Sequence, residues 1–314
     1  MALNVFQTLD EVQPTEDRAV ALGLFDGVHL GHQAVIRAAL DGKNQGLCPS
    51  VFTYRIQHMI PQAKKQFQWI ISESDRLRRL REMGIKTVVE PTFEEFCDIS
   101  PEEFVVEFLI KKMRAKLVCC GSDFKFGKKA SGTVEDLVRL CKPYGVQVNI
   151  IQPVSDDKGT ISSTRIRQSI TDGDMSEAWD MLGRPYSVRF PVVSGNKLGR
   201  TIDFPTINQI YPDNFVIPKY GVYASITEVD GKKYASVTNV GIKPTIGKYA
   251  PRVETYIIDF KGNLYGQHIL VELCRFQRPE QKFASVEELK EQISRDAEHS
   301  MALTEQFLKR MKEQ

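Results

Sequence analysis

The 314-residue chain is poor in histidine and tryptophan and has no surplus of either charge: five His, two Trp, and 42 Lys and Arg against 40 Asp and Glu, a net charge of +2. That balance excludes a global field for nucleic acid or a membrane surface and leaves only local basic pockets for phosphates. Long apolar runs are missing too. None approaches the roughly 20 residues needed to span a bilayer. The opening stretch MALNVFQTLDEVQPTEDR has no basic start followed by an apolar core, so no signal peptide is read there. Cysteine is scarce: Cys48, Cys97, Cys119, Cys120, Cys141 and Cys274 form no CxxC pair and sit mostly among apolar residues. They read as reduced thiols of a cytoplasmic protein. Internal repeats and low-complexity segments are absent. The remaining composition, 42% hydrophobic and 26% charged, is that of a globular chain, and its length predicts two domains.

The first half alternates strand-like and helix-like segments. RAVALGLF (18–25), SVFTY (50–54), KTVVE (86–90), KLVCCG (116–121) and VQVNII (146–151) read as strands. HLGHQAVIRAAL (29–40), SESDRLRRLREMG (72–84) and SPEEFVVEFLIKKM (100–113) read as helices, the last with a serine cap, proline at the first position and Glu103 three residues on. Such alternation predicts a parallel sheet with helices on its faces and a ligand at the carboxyl ends of its strands. The pattern changes near residue 184. After it come YSVRFPVV (186–193), GVYASITEV (221–229), KKYASVTNVG (232–241), VETYIIDF (253–260) and HILVELCRF (268–276), spaced as in an antiparallel barrel. Residues 285–311 read as a long amphipathic helix. The expected domains are therefore 1–184 and 185–314.

Two of the five histidines lie three residues apart in GLFDGVHLGHQ, directly after the first strand. Gly23, Gly27 and Gly31 let backbone amides approach an anion at a helix N-terminus. His29 and His32, one turn apart, project from one face toward the same phosphate and can stabilise charge that develops during its transfer. The bland alternatives are helix capping or metal binding, and no third histidine or cysteine lies close in sequence for a metal. ISSTRIR (161–167) adds hydroxyls from Ser162, Ser163 and Thr164 and positive charge from Arg165 and Arg167.

The second half carries GNKLGRTIDFPTIN (195–208). Gly195 and Gly199 suit a phosphate-hugging loop, with Arg200 inside it. Thr206 and Asn208, two apart on an extended segment, face the same way and suit a magnesium ion shared with phosphates. Glu254 stands in an otherwise apolar strand, where a carboxylate can take a proton from a substrate hydroxyl.

GLFDGVHLGHQ, GSDFKFG (121–127) and ISSTRIR, in that order, resemble the adenylyltransferase half of bifunctional riboflavin kinase/FAD synthetase. GNKLGRTIDFPTIN, NVGIKPTIG and VETYIIDF resemble its kinase half, and the likeness covers about residues 18 to 300. The resemblance implies a Rossmann-like HxGH nucleotidyltransferase domain of α/β class, then an antiparallel β-barrel riboflavin kinase domain with a C-terminal helix. It implies conversion of riboflavin to FMN and of FMN to FAD, with ATP and Mg2+ and release of pyrophosphate. The loop residues Gly23, Phe25, Asp26, Gly27 and Gly31 would then hold ATP phosphates, and Ser163, Thr164 and Arg165 would close on them. Asp123, Phe124 and Phe126 would lie near the flavin, and Glu254 would be the kinase base. The partners would be these small molecules, with no nucleic acid or membrane, for a monomer or weak homo-oligomer. Several positions depart from the family pattern: FTYRIQHMIP, with His58 displaced and Arg55 near the strand end, replaces a Pro-His-Pro segment, and Asp123 stands where some of the family have asparagine. Asp203 stands where the family has a glycine before FPT, and Phe190 where it has one early in the first barrel strand. A positive φ at either would strain the loop, which makes an adenylyltransferase with a disabled kinase one alternative. A flavin-binding regulator without turnover is another. A different HxGH transferase would leave the second domain unexplained.

Overall fold

The structure is a computed structural model that describes residues 3–55, 67–195, 199, 202–245 and 248–313. It forms two compact units, Met1–Phe67 with Ser72–Ser162, and Gln68–Ile71 with Ser163–Gln314. The second unit thus begins ahead of the pattern change near residue 184 and takes in four residues from the first half of the sequence.

The first unit is built on a six-stranded parallel sheet: β1 (Asn4–Phe6), β2 (Arg18–Leu22), β3 (Cys48–Phe52), β4 (Thr87–Val89), β5 (Ala115–Gly121) and β6 (Gln147–Ile151), in the order β1-β4-β3-β2-β5-β6. The three central strands β2, β3 and β4 are buried at every residue, as expected when helices cover both faces. The helices are α1 (Leu30–Asp41), α2 (Glu73–Met83), α3 (Pro101–Glu103) and α4 (Val134–Cys141). Ser100 caps α3 as its sequence predicts, its Oγ accepting from the Glu103 amide at 3.1 Å. The predicted helix then widens into a π-helix over Phe104–Lys112. Its buried face, Phe104, Val105, Phe108 and Leu109, joins Val20, Leu22, Phe52 and Val118 in the core. The edge strand β1 is three residues long, too short for a period-2 pattern to reveal it. A two-strand ribbon, β7 (Ser155–Asp156) with β8 (Gly159–Thr160), ends the unit.

The second unit opens with α5 (Ser163–Asp172) and α6 (Met175–Leu182). A curled antiparallel sheet follows, of β9 (Tyr186–Pro191), β10 (Thr206–Ile210), β11 (Gly221–Val229), β12 (Lys232–Thr245), β13 (Lys248–Ile257) and β14 (His268–Arg278), in the order β10-β13-β12-β11-β14-β9. A bridge between Val193 and Asn208 brings its two ends together. One face holds five buried hydroxyls bonded to one another: Ser225, Thr227, Ser236, Thr238 and Thr255. The other face carries Val222 and Val237, packed against Ala297 of α7 (Val286–Lys312). Gln68–Ile71 adds a short parallel bridge, with the Trp69 amide donating to Asn214 O at 2.6 Å and the Val216 amide to Trp69 O at 2.9 Å. Phe190 is an ordinary strand residue opposite Ile269, without the positive φ considered above. It is buried edge-on against Tyr211 and Phe215.

Candidate active sites

In the parallel sheet the strand order reverses beside β2, whose chain continuation β3 lies on one side and β5 on the other. Ligands of such sheets bind in the crevice at this switch point. The two loops that leave it are Gly23–His29, after β2, and the GSDFKFG stretch, after β5.

The first loop turns through three left-handed residues, Phe25 (φ 54°), Gly27 (φ 83°) and Val28 (φ 43°). Two of these are not glycine, so neighbours must hold them there. Phe25, Asp26 and Val28 are each about 1% exposed. The Val28 amide donates to Phe25 O at 3.2 Å, and Gln33 Nε2 donates to Val28 O at 3.1 Å. His29 then caps α1, its Nδ1 accepting from the His32 amide at 3.3 Å. An acceptor Nδ1 leaves the proton of the neutral ring on Nε2. The His29 and His32 rings stack at 3.6 Å, 20° from parallel, and Phe25 meets His32 edge-on at 5.4 Å. The two imidazoles do share one face, and His29 does cap the helix. Gly31 leaves room for this pair: a Cβ there would lie 3.1 Å from His29 Cε1, so the ring would have to shift by a few tenths of an ångström.

After β5, Asp123 is exposed and Phe124 half-buried. Phe126 is 5% exposed and stacks with Phe124 while packing against Phe104 in the core. Ser162 closes the first unit. Ser163, Thr164, Arg165 and Arg167 belong to α5 of the second, where Arg165 pairs with Glu177 at 3.1 Å and Arg167 Nε donates to Gln68 O at 2.6 Å.

The loop's other support was not visible in sequence. Arg76, fully buried in α2, donates to Leu24 O (3.1 Å), Thr53 Oγ1 (3.2 Å), Tyr54 O (2.8 Å) and Glu90 Oε2 (2.9 Å). Burial pushes the Glu90 carboxyl up to about 7 against the pull of Arg76. Burial also lowers the Arg76 guanidinium, against Glu90 and other nearby carboxylates.

In the second unit, Glu254 lies in the middle strand of three, opposite Asn208 of β10 on one side and Asn239 of β12 on the other. All three line a cavity of about 340 Å³. Phe204, Tyr256, Phe283, Leu289 and Ile293 supply its apolar wall. Its polar rim includes Asn239, whose Nδ2 donates to Glu280 at 2.9 Å, and Arg278, held bidentately by Asp296. A second hollow of about 150 Å³ lies by Pro205, Ile207, Phe260 and Tyr265, and Thr206 lines both. A Cβ on Gly195 would come within 2.6 Å of the Asn208 amide, and one on Gly199 would collide with Phe204 O. Both glycines are therefore fixed by crowding. Asp203 has a φ of 65°, so the left-handed conformation anticipated there is present; its exposed carboxylate lies 3.6 Å from Lys290. Arg200 lies outside the described residues. Asn239 opens the NVGIKPTIG stretch but was given no role in sequence, and Arg278 and Asp296 carried no local motif.

A left-handed loop at a parallel switch point and, in the same chain, a cavity with a carboxylate in its wall are the parts of an enzyme with two separate sites. The family models agree half by half: residues 11–165 match FAD synthetase and residues 182–304 match riboflavin kinase. Curated relatives named bifunctional riboflavin kinase/FMN adenylyltransferase include the Listeria monocytogenes protein, 34% identical over 91% of this chain and 92% of its own length. The Bacillus subtilis protein is 33% identical over 90% and 91%. A solved Streptococcus pneumoniae structure described as a macrolide-efflux protein superposes with a TM-score of 0.84 at 34% identity, covering 96% of this chain and 99% of that one. Among the described residues, no helix is long and apolar enough to cross a membrane. The chain belongs to the bifunctional riboflavin kinase/FMN adenylyltransferase family.

Proposed function

We propose that the chain makes FMN from riboflavin in its second unit and FAD from FMN in its first, consuming ATP in both steps. The reading is carried by two unlike phosphate-handling sites in one chain. One is the stacked histidine pair over a left-handed loop. The other is a carboxylate flanked by two amides on a cavity wall.

In the first reaction, riboflavin lies in the 340 Å³ cavity against Phe204, Tyr256 and Ile293, and ATP lies toward the smaller hollow. Thr206, common to both, marks where hydroxyl and γ-phosphate meet. Glu254 takes the proton of the ribityl hydroxyl as its oxygen attacks the γ-phosphorus, and ADP leaves. Among the described residues, no three His, Cys, Asp or Glu side chains group to hold a metal on their own. Mg2+ would be held by the Thr206 hydroxyl and the oxygen of the Asn208 amide, which packs closely against Gly195, with phosphate and water oxygens as its other ligands. Bound there, it neutralises phosphate charge.

In the second reaction, an FMN phosphate oxygen attacks the α-phosphorus of ATP, the α–β bridging bond breaks and pyrophosphate leaves. His29 and His32 donate to the charge gathering on the transferred phosphoryl group, and the Gly23–His29 backbone receives the remaining phosphates. Asp123 and Phe124, on the neighbouring loop, face the flavin. We place the enzyme in the cytoplasm, as a monomer or weak homo-oligomer without nucleic-acid partners, a reading supported by its six unpaired cysteines and balanced charge.

His32→Ala should lower FAD formation by about 10²–10³ and spare FMN formation, the usual effect of losing one transition-state donor. Glu254→Ala should do the reverse. Incubation with Mg-ATP and either riboflavin or FMN, followed by separation of the flavins, reads both. Loss of both activities in a folded variant would sink the two-site assignment.

A further inference from the structure

The left-handed loop needs something to hold it, and the structure shows what does. Leu24, Thr53 and Glu90 lie just beyond the carboxyl ends of three adjacent strands, β2, β3 and β4. One side chain of α2 gathers all three. Arg76 Nη1 donates to Leu24 O and Thr53 Oγ1, and its Nη2 donates to Tyr54 O and Glu90 Oε2. The Thr53 hydroxyl donates in turn to Leu24 O at 3.0 Å, so that carbonyl is gripped twice. Arg76 and Glu90 have no exposed surface and Thr53 has 1%.

Holding the Leu24 carbonyl has a geometric consequence. In a planar trans peptide the next N–H points the opposite way. Gripping Leu24 O from the protein side therefore sets the direction of the Phe25 amide. It also sets the plane from which Phe25 turns into its left-handed conformation. The Phe25 ring, placed by that turn, packs edge-on against His32. A chain of fixed contacts runs from Arg76 through Leu24 and Phe25 to the imidazole.

We propose that Arg76, braced by Glu90 and Thr53, is a positioning residue for adenylyl transfer: it fixes the Leu24 carbonyl and through it the orientation of the Phe25 amide and the His32 ring. None of the three touches substrate. The inference rests on the FAD-forming role given to the first unit.

Thr53→Val tests it with least disturbance, because it keeps shape and removes one donor to Leu24 O and one acceptor of Arg76. Its kcat for FAD formation should fall about tenfold, the worth of one neutral hydrogen bond, with KM for ATP and FMN within about twofold, as when an interaction serves the transition state alone. Thr53→Ser, which restores the hydroxyl, should recover most of the rate. Arg76→Lys, which keeps the charge and loses the fork, should fall further, by about 10²-fold. FMN formation from riboflavin, measured in the same samples, should stay at the parent level. Parent-like kcat in Thr53→Val, a loss expressed only in KM, or a Ser variant no better than the Val variant would each overturn the proposal. A parent protein that makes no FAD from FMN would instead overturn the functional reading beneath it.

Discussion

Single residues at both sites are fixed by crowding more than by chemistry. Gly31 is the second residue of α1 and has no left-handed φ, so alanine there should favour the helix by less than about 1 kcal/mol, the gain of a helix interior. Its Cβ, 3.1 Å from the His29 ring, would displace that ring from the stack. Gly31→Ala should therefore raise or preserve the unfolding midpoint while FAD formation falls at least about tenfold. Parent activity in this variant would mean the His29 ring is free to shift. Asp203 is the opposite case, a non-glycine in a left-handed turn. Aspartate tolerates that region better than most residues, and an exposed pair with Lys290 adds little. Asp203→Gly should thus change stability by less than about 1 kcal/mol, checked by thermal unfolding. The histidine pair was legible because its whole geometry lies within four residues. The φ of Phe190 was open in sequence because its place in a family pattern says nothing of it, and the pairing with β14 sets it.

Elements carry what no local motif could reveal. In sequence, RLRRLR of α2 looks like a solvated basic face. Arg76 is buried because its acceptors come from three strand ends distant along the chain. The same tertiary origin gives Glu90 an unusual acidity. In the unfolded chain it ionises near 4.5; in the folded protein burial holds the proton up to about 7, with Arg76 pulling down, Glu73 pushing up and Arg55 pulling down. Between those pH values the folded form binds the extra proton, so this group's contribution falls as pH rises from about 4.5 to 7 and is level above. Glu90→Gln should remove that slope, worth on the order of 1–3 kcal/mol across the window. The difference in unfolding midpoint between parent and variant, followed from pH 4.5 to 8, measures it. A difference independent of pH would contradict the raised pKa.

At the scale of the molecule, the parallel sheet and the antiparallel sheet were both legible, since the period of the apolar pattern changes from one half to the other. The bounds were less so. β12 runs on through KPT to Thr245 and β13 begins at Lys248, ahead of VETYIIDF, because the ladder between them continues beyond the runs read as strands. Two chemistries in two units also predict complementation. His32→Ala and Glu254→Ala proteins, each unable to convert riboflavin to FAD, should do so when mixed, with free FMN passing between them. Chromatography of the mixture decides it; no FAD would mean FMN does not leave the chain that makes it.

Trp69, Ile70 and Ile71 are almost wholly buried in the second unit, yet they precede α2 of the first. During synthesis they emerge long before Asn214 and Val216, the residues that bond to Trp69. At roughly 5–20 residues per second, the wait is on the order of ten seconds. For that time a nascent chain displays an apolar triplet whose bridging segment has not yet been translated. A polypeptide released before residue 216 would keep it uncovered, a ready target for the cell's holdases and proteases.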